Sequence, residues 1–156
     1  MIESLLLAVT RISTFVGERG LTNATGFFFE RDARLYLVTN RHVVLDEPSY
    51  HRPDRIEIEL HTDPDNVAAT VQFSIPLYAD ALAVWREISD AAGIVDVVAI
   101  ELVREALPAT RLLHAFTPEH LLLNLDDVEV GARVTIVGFP LGFHDMFHHL
   151  PVARQA

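Results

Sequence analysis

Residues 55–61, RIEIELH, alternate apolar and polar side chains without a break. Ile56, Ile58 and Leu60 face one way, and Glu57, Glu59 and His61 the other. Period two over this length marks a strand with one buried and one solvated face. The same kind of segment recurs along the chain. Residues 8–16 mix β-branched and polar side chains and close at Gly17 and Gly20. Residues 24–30 and 34–39 follow, linked by Asp32 and Ala33 as a tight hairpin. Residues 67–75 stop at Pro76, residues 96–102 enter through Ala92-Gly93, and residues 133–139 enter through Gly131. Helix signals are few: Thr117, Pro118 and Glu119 offer an N-cap, a proline in the first turn and an acidic first turn, leading into residues 120–123. Many short strands separated by turns predict an all-β barrel or sandwich.

A chain of 156 residues fits one domain, or one and a piece of a second. Apolar residues are 50% and charged residues 22%, which excludes a disordered tail, a coiled coil and a collagen-like repeat. The longest apolar runs are about five residues, far short of the ~20 a membrane span needs. No cysteine is present, so disulfides and thiolate metal sites are excluded. Net charge is −10, which repels phosphate and argues against a nucleic-acid partner. Every basic residue is arginine, so lysine-based chemistry is excluded as well. Glu3 stands where a signal peptide carries a basic residue, and a cytoplasmic location is the expectation.

Two constellations carry possible chemistry. In residues 38–44, VTNRHVV, a strand ends at Thr39 and His42 follows it directly. In residues 96–100, DVVAI, Asp96 heads an apolar strand. A histidine at one strand end and a buried aspartate at another can form an oriented pair, the carboxylate fixing the tautomer and stabilising the imidazolium. Either residue alone has an ordinary structural explanation, as a strand-end histidine or a turn cap. A third cluster, FHDMFHH at residues 143–149, spaces His144 and His148 four apart. On a helix that pair could hold Zn²⁺, but Asp145 and His149 lie off the shared face, so the cluster reads as a loop. No metal and no cofactor are expected. Asp63 and Asp65 read as a solvated turn, and His114 and His120 as surface residues beside the short helix.

The order of ATGFFF, LVTNRHVV, DVVAIEL and VGARVTIVGFPLG over residues 8–142 resembles that of trypsin-like serine peptidases of the chymotrypsin-fold superfamily, chiefly the bacterial HtrA/Deg-like branch. The T-x-x-H-V motif falls at residues 39–43 and the G-F-P-x-G turn at 138–142, and Asp96 with Ala99 and Ile100 answers the family's D-x-A-[VI]-[LI] with one residue more between Asp and Ala. The resemblance implies a serine endopeptidase acting on a peptide or protein substrate. It implies a chymotrypsin-like N-terminal β-barrel in residues 1–127, carrying His42 as general base and Asp96 as its orienting acid. Residues 128–156 would begin a second, truncated barrel with its first strand. The family places a nucleophilic serine in G-x-S-G, well beyond the G-x-P-x-G turn. Ser4, Ser13, Ser49, Ser74 and Ser89 all precede Asp96 and none has a glycine neighbour. The chain therefore reads as an interrupted domain, inactive alone, and PVARQA reads as the start of a further strand. The alternative is a non-catalytic barrel that binds a peptide or protein. An apolar strand without its barrel also predicts self-association, a homodimer through residues 132–142.

Overall fold

The computed structural model describes residues 2–140 and 145–156. The chain is all-β. A single helical turn, α1 (Ser4–Leu7), leads into β1 (Val9–Val16), β2 (Arg19–Arg31) and β3 (Arg34–Thr39). A second helical turn, α2 (Arg41–Val44), precedes β4 (Arg55–His61) and β5 (Thr70–Pro76). A small hairpin, β6 (Tyr78–Ala79) and β7 (Leu82–Ala83), connects to β8 (Trp85–Asp90) and β9 (Gly93–Leu102). The Asp32-Ala33 link is a two-residue turn with both residues left-handed, φ 51° and 62°. That geometry matches the right-handed twist of the strands it joins.

β1 to β5, β8 and β9 form one antiparallel sheet in the order β5–β4–β1–β2–β3–β9–β8. Laid flat, the outer two strands would stand about 29 Å apart. Instead, Val84 just before β8 donates its N–H to the Leu77 carbonyl just after β5, at 3.0 Å. The sheet is thus rolled, and its two edges meet at this end. No ladder pairs β5 with β8 among the described residues.

Rolling encloses one core. Ile12, Phe28, Leu35, Leu37, Ile58 and Ile100 are all essentially inaccessible and belong to one cluster. Each such side chain contributes about 1.5–3 kcal/mol of burial. Gly26 lets β2 pass close beneath its neighbours: a Cβ there would stand 2.7 Å from Ile12 Cδ1 and 2.9 Å from Leu37 Cδ1.

Ile56, Ile58 and Leu60 face this core as the alternation predicts, but Glu59 and His61 are not solvated. They are 8% and 7% exposed, because β4 lies inside the sheet and its outer face is covered. His61 Nδ1 donates to the Val67 carbonyl at 2.9 Å. Glu59 takes Gln72 Nε2 at 2.6 Å, Arg11 at 3.7 Å and the His149 ring at 3.1 Å.

The predicted helix after Thr117 is only a 3₁₀ turn, Pro118–His120. Leu121, Leu122 and Leu123 beyond it are exposed and have no polar face to alternate with. β10 (Thr135–Gly138) pairs antiparallel with β11 (Val152–Gln155), and β11 falls within PVARQA, the segment that reads as the start of a further strand. Thr25 on β2 anchors the pair. Thr25 Oγ1 accepts the Phe139 N–H at 2.9 Å, and a Cβ on Gly138 would come within 3.0 Å of that oxygen. Phe139 is buried, whereas Val134 and Ile136 remain exposed. Leu141, Gly142 and His144 lie outside the described residues.

Candidate functional site

β3 runs beside β9, with Thr39 opposite Val98. The chain leaves β3 at Asn40 and turns at once into α2. This register puts His42 beside Asp96, two residues further back along β9. His42 Nδ1 lies 2.8 Å from Asp96 Oδ2, and the His42 backbone N–H donates to Asp96 Oδ1 at 2.9 Å. One carboxylate thus holds both the ring and the backbone of the histidine. An N-cap side chain ordinarily accepts such a backbone N–H at the start of a helical turn. Here Asn40 holds the N-cap position without capping, and Asp96 does so from another strand. Asn40 Nδ2 is turned toward Asp96, donating to its carbonyl at 2.9 Å and to Oδ2 at 3.3 Å.

Partial desolvation pushes the Asp96 pKa up. The hydrogen bonds from the His42 backbone and ring, the His42 charge and the Arg41 N–H outweigh it, so the carboxyl sits below its ordinary value. The aspartate is not buried, as the sequence reading required: the His42 and Asp96 side chains are 60% and 53% exposed. The near end of β9 is solvated and only its far half enters the core. The other side of α2 is tied down by Arg41 Nε, which donates to Glu87 Oε2 at 3.0 Å on β8. Trp85 Nε1 donates to the same oxygen at 3.1 Å. The Trp85 and Arg41 hydrogen bonds hold Glu87 below its ordinary pKa against a smaller desolvation effect.

A cavity of about 750 Å³ opens beside His42, lined among others by Arg19, Asn23, Tyr50, His51 and Arg52. Ser49 also lines it, but its hydroxyl donates to the Asp46 carboxylate. None of the described serines hydrogen-bonds His42.

The second histidine cluster builds a pair of its own. His148 Nδ1 lies 2.6 Å from Asp145 Oδ2, and the Phe147 and His148 N–H groups donate to Asp145 Oδ1 at 2.9 and 3.1 Å. These bonds, the Phe147 N–H first, lower the Asp145 pKa to about 2. His149 points instead toward Glu59. No group of three or more ligand-type side chains that could hold a metal occurs among the described residues. His114 and His120 are exposed, and Asp63 Oδ1 caps its own turn at Asp65. No helix among the described residues is long and apolar enough to cross a membrane.

The sequence reading found His42 and Asp96, and the structure brings them together. It missed Asn40, Arg41, Glu87 and Trp85, and the arginines of the cavity. Asn40 sits two residues before His42 with a side chain suited to capping, which was the available signal. Nothing local marks Glu87, which reaches Arg41 only through sheet pairing. Comparison of the chain with protein-family models, curated proteins and solved structures gives no match.

Proposed function

We propose that this chain carries the histidine–aspartate half of a trypsin-like serine peptidase, with residues 1–127 as a chymotrypsin-like first barrel. The observation that carries this reading is the double hold of Asp96 on His42, made across 54 residues of chain. With Nδ1 facing Asp96, Nε2 is the nitrogen left to move a proton. A serine from outside residues 1–156 attacks a peptide carbonyl while Nε2 takes its proton. The imidazolium, stabilised by Asp96, then protonates the leaving amine, and water clears the acyl-enzyme. The exposure of both side chains fits a site completed by a second barrel that begins at β10 and β11.

A non-catalytic, peptide-binding barrel is the second reading. It is favoured by Ser49, the one serine on the His42 cavity among the described residues, being engaged by Asp46. One experiment separates the two. Residues 1–156 alone should leave a fluorophosphonate probe unreacted and hydrolyse peptides at a rate roughly 10⁶-fold below an intact triad. A longer gene product carrying G-x-S-G should react at that serine and lose activity in His42→Ala. A longer product with no such serine, or one indifferent to His42→Ala, leaves only the binding domain.

Self-association through residues 132–142 belongs to the same proposal. Phe139 is buried, while Val134 and Ile136 are the large apolar side chains still in water among the described residues of this stretch. Sedimentation of the whole chain against a version cut after Asp127 tests it: two monomers of equal solubility refute the dimer.

A further inference from the structure

We infer that the cleft beside His42 receives an extended, acidic peptide, laid as an added strand along residues 19–24 of β2. Two independent observations meet there. The first is an open sheet edge. β2 is thirteen residues long, and β3 pairs only with its far half, from Phe27 to Arg31. Residues 19–24 pair with β1 on one side and, among the described residues, with no strand on the other. Alternate residues along such an edge turn N–H and C=O groups outward, which is the template for strand addition. Gly20, Thr22 and Asn23 on this edge line the cavity together with His42.

The second observation is charge. The chain has 22 acidic residues against 12 arginines, and most arginines are paired with a carboxylate. Arg19 and Arg52 pair with none among the described residues, and both line this one cavity with His42 and His51. Among the described lining residues the two arginines face one carboxylate, Asp46, which keeps its charge while accepting the Ser49 hydroxyl, and Asp96 beside the cavity is engaged by His42. Two arginines left without carboxylate partners on an otherwise anionic molecule favour acidic side chains over basic ones. Alternate side chains of an added strand point to one face, so acidic residues at every second position can meet Arg19 and Arg52.

The inference rests on the reading of this cleft as a peptide site, and its test distinguishes the two. Fluorescent Glu-Val-Glu-Val-Glu-Val and its Gln-for-Glu analogue are titrated into the whole chain, with anisotropy and the His42 amide signal followed together. The Glu peptide should bind about tenfold more tightly, the scale of two exposed ion pairs acting together, and the margin should shrink with salt. Arg19→Gln with Arg52→Gln should bring the two peptides level. Arg154→Gln, at another arginine without a carboxylate partner among the described residues, should leave the margin intact. N-methylation of alternate residues should abolish binding of the Glu peptide. Equal affinity of both peptides, each shifting His42, overturns the acidic preference while leaving a peptide site. Absence of any effect on His42 overturns the peptide site itself and this inference with it.

Discussion

The molecule builds a histidine–aspartate pair twice, by different means. At His42 the carboxylate comes from 54 residues away, and at His148 from three. The local chemistry is nearly the same: each aspartate gives one oxygen to Nδ1 and the other to backbone N–H groups. Hydrogen-bond geometry alone therefore does not mark a site. What separates the pairs is the setting. Asp96 is delivered by a strand of the main sheet, α2 is braced from its other side by Glu87, and a cavity opens at the imidazole. Asp145 is a turn residue that satisfies its own neighbours.

The largest expected effect comes from attacking the fold that delivers Asp96. Leu37 is fully buried on β3, opposite Ile100 of β9. Leu37→Ala should cost about 2–5 kcal/mol in denaturant unfolding, through lost burial and the cavity left behind. In conditions where that variant is partly unfolded, the contact between His42 and Asp96 should be lost with the sheet. If unfolding stability changes by less than about 1 kcal/mol, the sheet does not depend on this layer as described.

Removing one carboxylate at a time sharpens the contrast. Asp96→Asn takes the charged acceptor from His42 and from the α2 backbone together. Both groups are more than half exposed, so the cost after solvent screening should be about 1 kcal/mol or less. The clearer readout is nuclear magnetic resonance: the Nδ1–H signal of His42 should lose its strong hydrogen bond while His148 is unchanged. Asp145→Asn should do the reverse. A variant that moves both signals would show the two regions to be coupled, which their separate anchoring does not predict.

Acid titration compares the same two carboxyls without mutation. Asp145 should titrate at about pH 2. Asp96 should titrate below the ordinary aspartate midpoint, which is about 3.9 in an unfolded chain. Both folded-state values are depressed. Each group therefore contributes stability that is full above the unfolded value and is lost as pH falls through the folded one. An Asp96 midpoint above the ordinary value would mean that desolvation outweighs the His42 bonds.

How much of this was legible follows from the range of the interactions. Residues 34–39 and 55–61 coincide with β3 and β4 because their period is strict and their ends are sharp. β8 is not legible because WREISD is an exposed edge strand with no apolar face to alternate. The first half of β2 was missed for a similar reason: residues 19–24 have no second neighbour and so no buried stripe. Glu59 and His61 were misplaced because the alternation reports two faces without saying which will be covered later. Among the candidate residues, His42 and Asp96 were readable only through their order along the chain. The brace at Glu87 and the arginines of the cavity are products of tertiary folding and leave no spacing in the sequence.

The smallest effect expected is at Asn40, and it tests why this position does not cap its own turn. Asn40 is exposed, and its side chain donates to the Asp96 carbonyl and carboxylate. Asn40→Ala removes both donors but leaves the His42 N–H and ring on Asp96, so unfolding should shift by under about 1 kcal/mol. The Asp96 midpoint should rise slightly, since one stabilising donor is gone. Asn40→Asp is the sharper variant. It sets a second carboxylate beside Asp96 and can cap α2 itself, competing for the His42 N–H. The Asp96 midpoint should then rise more than in Asn40→Ala, and the His42 Nδ1–H signal should weaken. If the two variants give the same Asp96 titration, Asn40 only fills space at the turn, and Asp96 holds His42 without help from its neighbour.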